Sequence, residues 1–88
     1  MMSTRRGGPY SPSGPRTLPE WLRRTRSVVN ATQEDIATGI DVSPQLVGRW
    51  ERGETRVRRR HLVKLLRYFR TPRDQWASVL ELPDRVPS

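Results

Sequence analysis

The middle of this 88-residue chain carries start and stop signals for two short helices joined by a tight bend, and these constrain its fold more than anything else in it. Ser43-Pro44 reads as a helix start. The serine hydroxyl can accept a free amide of the first turn, and proline lacks the amide hydrogen that would go unpaired at the first helical position. Gly53 is a suitable left-handed stop. Upstream, Thr32 can cap another segment, in which Glu34 and Asp35 sit favourably against the helix dipole and Ile36 and Ala37 supply the apolar face. That segment is expected to end at Gly39, whose freedom to take a positive φ would let Thr38-Gly39-Ile40-Asp41-Val42 turn sharply. On the later helix Val47 and Trp50 face the core, while Pro44, Gln45, Gly48, Arg49 and Arg52 fall on other faces.

Around this pair the pattern predicts an all-α domain of five helices over residues 18–80. The first helix opens around Pro19, carries Leu18, Leu22 and Val29 with Trp21 nearby, and ends near Asn30. The fourth runs from about Arg58 to Phe69, with Leu62, Leu65, Leu66 and Phe69 at the spacing of a buried face. The fifth runs from Pro72, behind Thr71 as cap, to Leu80, with Trp76, Val79 and Leu80 turned inward. Residues 1–17, rich in glycine, proline and arginine, are expected to form a disordered basic arm that could lie along phosphates. Residues 81–88 form a short tail.

Seventeen basic residues, of which Lys64 is the only lysine, stand against nine acidic ones and give a formal charge of +8. That balance points to an anionic partner, and the guanidinium fork grips phosphates and guanine edges at two points. Cysteine is absent and His61 is the only histidine, so neither a disulfide framework nor a metal site is expected, and His61 is assigned to surface or helix-cap duty. Serines lack a histidine and an acid arranged for nucleophilic catalysis, and the glycines form no phosphate-cradling loop, so an enzyme is not expected and no cofactor is implied. No apolar run reaches the length that spans a bilayer. A soluble, cytoplasmic protein is expected.

Two adjacent helices joined by a tight turn form a helix-turn-helix, and the major groove admits one helix whose N-terminal residues contact base edges. The blocks Thr32-Gln33-Glu34-Asp35-Ile36-Ala37, Val42-Ser43, Val47 and Trp50-Glu51-Arg52-Gly53 resemble the Cro/repressor-type (XRE-like) helix-turn-helix family. The resemblance implies a compact five-helix, lambda-repressor-like fold and binding of operator DNA as a dimer. By position, it implies that Gln33 contacts the phosphate backbone, that Pro44, Gln45, Leu46, Gly48 and Arg49 stand where the family reads bases, and that Arg26 pairs with Glu51 as a structural ion pair. Pro44 and Leu46 depart from the polar residues often seen there. Gln45 to adenine and Arg49 to guanine would then carry direct readout, with Leu46 against a thymine methyl, while Arg49 clamping a phosphate is an equal alternative.

Arg56-Val57-Arg58-Arg59-Arg60-His61 is the densest positive stretch, and cations at a helix N-terminus oppose its dipole. A DNA phosphate resolves that conflict, which assigns Arg56, Arg58, Arg59 and Arg60 to phosphate contact; Thr32, Ser43 and Arg52, like Gln33, are expected to contact phosphate as well. Val57 stands where the family often has proline. Gly48 lies inside a helix at a cost of about 1 kcal/mol relative to alanine; either close approach of DNA or a tolerant exposed position accounts for it. Trp76, Val79, Leu80 and Leu82 are expected to exceed the needs of so small a core and to offer a dimer surface. The alternative to a transcriptional repressor is a protein-interaction module, such as an antitoxin or a phage factor that binds a host protein.

Overall fold

In a computed structural model of the chain, which describes residues 14–85, the first helix is set by a cap on its starting residue. Thr17 accepts the Glu20 amide on its hydroxyl, and the Glu20 carboxylate in turn accepts the Arg16 amide at 2.9 Å. Thr17 is itself buried, so it belongs with the helix it caps rather than with the preceding arm. Of the expected arm, residues 1–13 lie outside the described residues, as do residues 86–88 of the tail.

Five α-helices follow: α1 (Leu18–Val28), α2 (Gln33–Ile40), α3 (Pro44–Arg52), α4 (Arg59–Tyr68) and α5 (Trp76–Leu80), the last led in by a 3-10 turn over Arg73–Gln75. The described residues contain no strand. Thr32 and Asp35 form a reciprocal capping box at α2, each bonding the other's amide at 2.9 to 3.0 Å. Ser43 accepts the Leu46 amide at the start of α3, and Gly53, at φ 74°, ends it.

Three expectations about the helix ends change. Gly39 does not end α2, which continues through Ile40; the left-handed residue of the turn is Asp41, at φ 64°. Glycine is required at 39 because a Cβ there would collide with the Tyr68 ring of α4. Val29 does not join the core, because α1 ends before it and leaves Val28 and Val29 exposed. Thr71 caps no helix, although its carbonyl accepts the Trp76 indole N–H at 2.9 Å.

The core gathers one apolar stripe from each helix. Leu22, Ile36, Val47, Trp50, Leu65 and Leu66 are fully enclosed, and Trp21 packs edge-on against Phe69 with ring centroids 5.7 Å apart. Burying side chains of this size is worth roughly 1.5–3 kcal/mol each, the main favourable term in a domain this small. Val57 drops into the same core from the α3–α4 loop, and its amide reaches Asp84. The segment after α5 returns to the start of the chain, where Leu18 donates its amide to the Pro83 carbonyl at 2.9 Å. None of these helices is long and apolar enough to cross a membrane.

Candidate nucleic-acid interface

On α3 the core claims Val47, Trp50 and Glu51, which leaves Pro44, Gln45, Gly48, Arg49 and Arg52 on the opposite side at helical spacing. These five line one open groove, and its other wall is Thr32, Gln33 and Glu34 from the start of α2, with Arg26 of α1 beneath. The groove therefore joins the first turn of α2 to the outward face of α3. Within it Gln45 and Arg49 are exposed, and Arg49 makes no ion pair among the described residues.

The groove's floor is fixed by a carboxylate. Glu51, buried, accepts the Arg26 guanidinium at two points, Nε to Oε2 at 2.6 Å and Nη2 to Oε1 at 3.1 Å. Arg26 is held in its charged form chiefly by that hydrogen bond. Gln33 donates from Nε2 to Glu51 Oε1 at 3.0 Å. One N–H of the Gln33 side-chain amide is thus engaged within the protein, while its second N–H and the backbone amide, at the first position of α2, remain as donors for an anion. Thr32 is in a similar position: its amide is spent on Asp35, while its hydroxyl hydrogen remains available. Ser43 likewise keeps a donor while its oxygen caps α3.

Leu46 is not brought to the groove. It is half-buried and packs against the core. Gly48 is not exposed. It is buried where α3 passes the first turn of α2, and a Cβ there would stand 3.1 Å from the Arg52 guanidinium and 3.5 Å from the Gln33 amide oxygen.

A second depression, lined by Thr55, Arg56, Arg58 and Arg59, opens at the start of α4. Arg58 is the cap residue there and supplies no side-chain cap, so the first amides of α4 face outward amid guanidinium groups. Arg56 lies 3.6 Å from the Asp84 carboxylate, a loose exposed pairing. Arg60 is exposed but does not line this depression; it shares the outer side of α4 with Lys64 and Arg67. His61 is half-buried against the Trp50 ring, at 5.3 Å between centroids, and takes no cap role. Burial and then the repulsion of Arg60, Lys64 and Arg58 hold its imidazole below the ordinary value.

Sequence reasoning missed Glu54. It folds back over the end of α3 and pairs with Arg52, Nε to Oε2 at 2.8 Å. An acid directly after a glycine helix stop, two residues from a terminal arginine, was the available signal. Among the described residues there is no group of metal-ligating side chains.

The model of a family described as helix-turn-helix matches residues 30–76, which takes in α2, α3, α4 and the turns between them, over half of the chain. No curated protein and no solved structure matches the chain.

Proposed function

The chain belongs to the Cro/repressor-type (XRE-like) helix-turn-helix family of DNA-binding regulators, and on that footing we propose that it is a sequence-specific repressor of transcription that binds double-stranded DNA as a homodimer on a two-fold symmetric site. One observation carries the reading. Pro44, Gln45, Arg49 and Arg52 make a single outward face on α3, with the buried Gly48 at its base, continuous with the start of α2, which is the shape and chemistry of a helix presented to a major groove. Gln45 and Arg49, exposed and unpaired, read base edges. Arg56, Arg58 and Arg59, with the first amides of α2 and α4, hold the phosphates on either side.

Proline and glycine at reading positions leave few side chains to carry the base code, so DNA shape supplies part of the specificity. Val79 is buried, and Trp76, Leu80 and Leu82 are half-buried against the core, so the dimer contact on α5 and the residues just after it uses only the edges of these three. Repression places the protein in the cytoplasm, on the nucleoid.

Selection of bound duplexes from a random pool tests the reading. A two-fold symmetric consensus is expected, and Arg49→Ala should lose about 1–3 kcal/mol on that consensus and far less on a scrambled duplex. Equal losses on both would remove Arg49 from base reading. Failure to enrich any sequence would point to a protein partner instead.

A further inference from the structure

Arg52 is the groove arginine on α3 whose charge is already answered from within the loop that follows. Its guanidinium holds the Glu54 carboxylate at two points, Nε to Oε2 at 2.8 Å and Nη2 to Oε1 at 3.3 Å. Arg49, one turn earlier on the same face, has no such partner among the described residues. Local backbone geometry makes the pairing possible. Gly53 reverses the chain at φ 74°, and the Glu54 amide bonds the Arg49 carbonyl at 2.9 Å, which returns residue 54 to the last turn of α3.

This pair does little for folding. Its side chains are 59% and 54% exposed, and ion pairs that open to water are weak. The geometry is nonetheless that of an arginine on a phosphate, a planar fork on two anionic oxygens. It also sits on the groove: Arg52 lines it, beside Gly48 and Gln33.

We propose that Glu54 is an internal stand-in for a DNA phosphate, seated on Arg52 in the free protein and displaced when the backbone of a duplex docks. The inference rests on the DNA-binding reading above. Contact of Arg52 with DNA exchanges one anion for another, so Glu54 lowers the affinity for any duplex without altering which sequence is preferred, since phosphate contacts carry no base information. The carboxyl is well suited to stay charged in this role: the hydrogen bond from Arg52 and the nearby charges of Arg52 and Arg49 hold it below its ordinary range.

The test uses the full chain and the variants Glu54→Gln, Arg52→Gln and their double, with Glu81→Gln as a control that makes the same charge change at an exposed position outside the groove. Affinity for a selected duplex and for a scrambled one is measured by fluorescence anisotropy across a salt series. Glu54→Gln should bind both duplexes about twofold to fivefold more tightly, by similar factors. Its log–log salt slope should stay close to the wild type's, because Arg52 neutralises the same phosphate in both proteins. In the Arg52→Gln background the gain should vanish, and Glu81→Gln should shift affinity less than Glu54→Gln does. Wild-type affinity in Glu54→Gln, a gain confined to the selected duplex, or a gain that survives without Arg52 would each overturn the proposal while leaving DNA binding intact. A wild-type chain that binds neither duplex would overturn the DNA-binding reading as well.

Discussion

Arg26 of α1 and Glu51 of α3 meet in a two-point ion pair, and the remaining Arg26 nitrogen, Nη1, donates to the Ala31 carbonyl at 3.1 Å. One guanidinium thereby ties together α1, the α1–α2 junction and α3. Gln33 completes the set from the first turn of α2. A carboxylate that is only 4% exposed needs such a set of donors, because desolvation costs several kcal/mol per buried ion and is offset only when its lone pairs are filled. What the network specifies is orientation: it fixes how far α3 projects past the start of α2, and so the width of the groove between them.

Breaking one side of this pair should therefore cost far more than a surface ion pair does. Arg26→Ala leaves the Glu51 carboxylate buried with Gln33 as its remaining side-chain donor, and a loss of about 3 kcal/mol is expected in urea unfolding. Replacing both partners by apolar residues, as in Arg26→Met with Glu51→Leu, should recover most of that loss, since no charge is then stranded. DNA affinity should not recover with it, because an apolar contact does not set the angle of α3. An Arg26→Ala midpoint equal to wild type would show that the pair contributes nothing to folding.

What could be read from the residues alone was chemistry that acts over a few positions. Thr32, Ser43 and Gly53 announce their caps because each bonds its own neighbouring amides, and the apolar stripe of α4 shows its buried face by spacing. What could not be read depends on residues far apart in sequence. Gly39 looked like a turn glycine because its real reason, the Tyr68 ring, lies on another helix. That Leu46 packs against the core had no local signal. The return of Pro83 to the α1 amide, and of Asp84 to Val57, follows from tertiary closure and has no local signature. In the groove, Gln45 and Arg49 were legible as outward residues, whereas the hydrogen bond from the Gln33 side chain to Glu51 was not.

The Gly39 contact predicts a change of sign. In a helix, glycine to alanine ordinarily gains up to about 1 kcal/mol. Here the new methyl would overlap the Tyr68 ring, and overpacking of this kind costs about 1–3 kcal/mol, so Gly39→Ala should lower stability by about 1 kcal/mol net. In a Tyr68→Ala background the obstacle is gone, and the same substitution should become stabilising. Thermal unfolding of the four proteins decides it; a loss of the same size in both backgrounds would mean that the tyrosine is not the reason for glycine.

His61 predicts a pH dependence of folding whose sign follows from its surroundings. Packed against Trp50 and facing Arg60, Lys64 and Arg58, the imidazole takes up a proton less readily in the folded chain than in the unfolded one, where its ordinary value of 6.5 applies. Between the lowered folded value and 6.5 the unfolded state binds more protons, so stability rises with pH across that interval. The contribution is complete above the unfolded value and is lost as pH falls through the folded one. Asp and Glu groups titrate mostly near pH 4, so the window belongs to the histidine. Urea midpoints measured from about pH 7.5 down to about pH 5.5 should fall for the wild type and stay nearly level for His61→Gln, which has no proton to take up in that range. Parallel curves for the two proteins would show that the imidazole is as easily protonated in the folded state as in the unfolded one, and that its contact with Trp50 leaves it open to water.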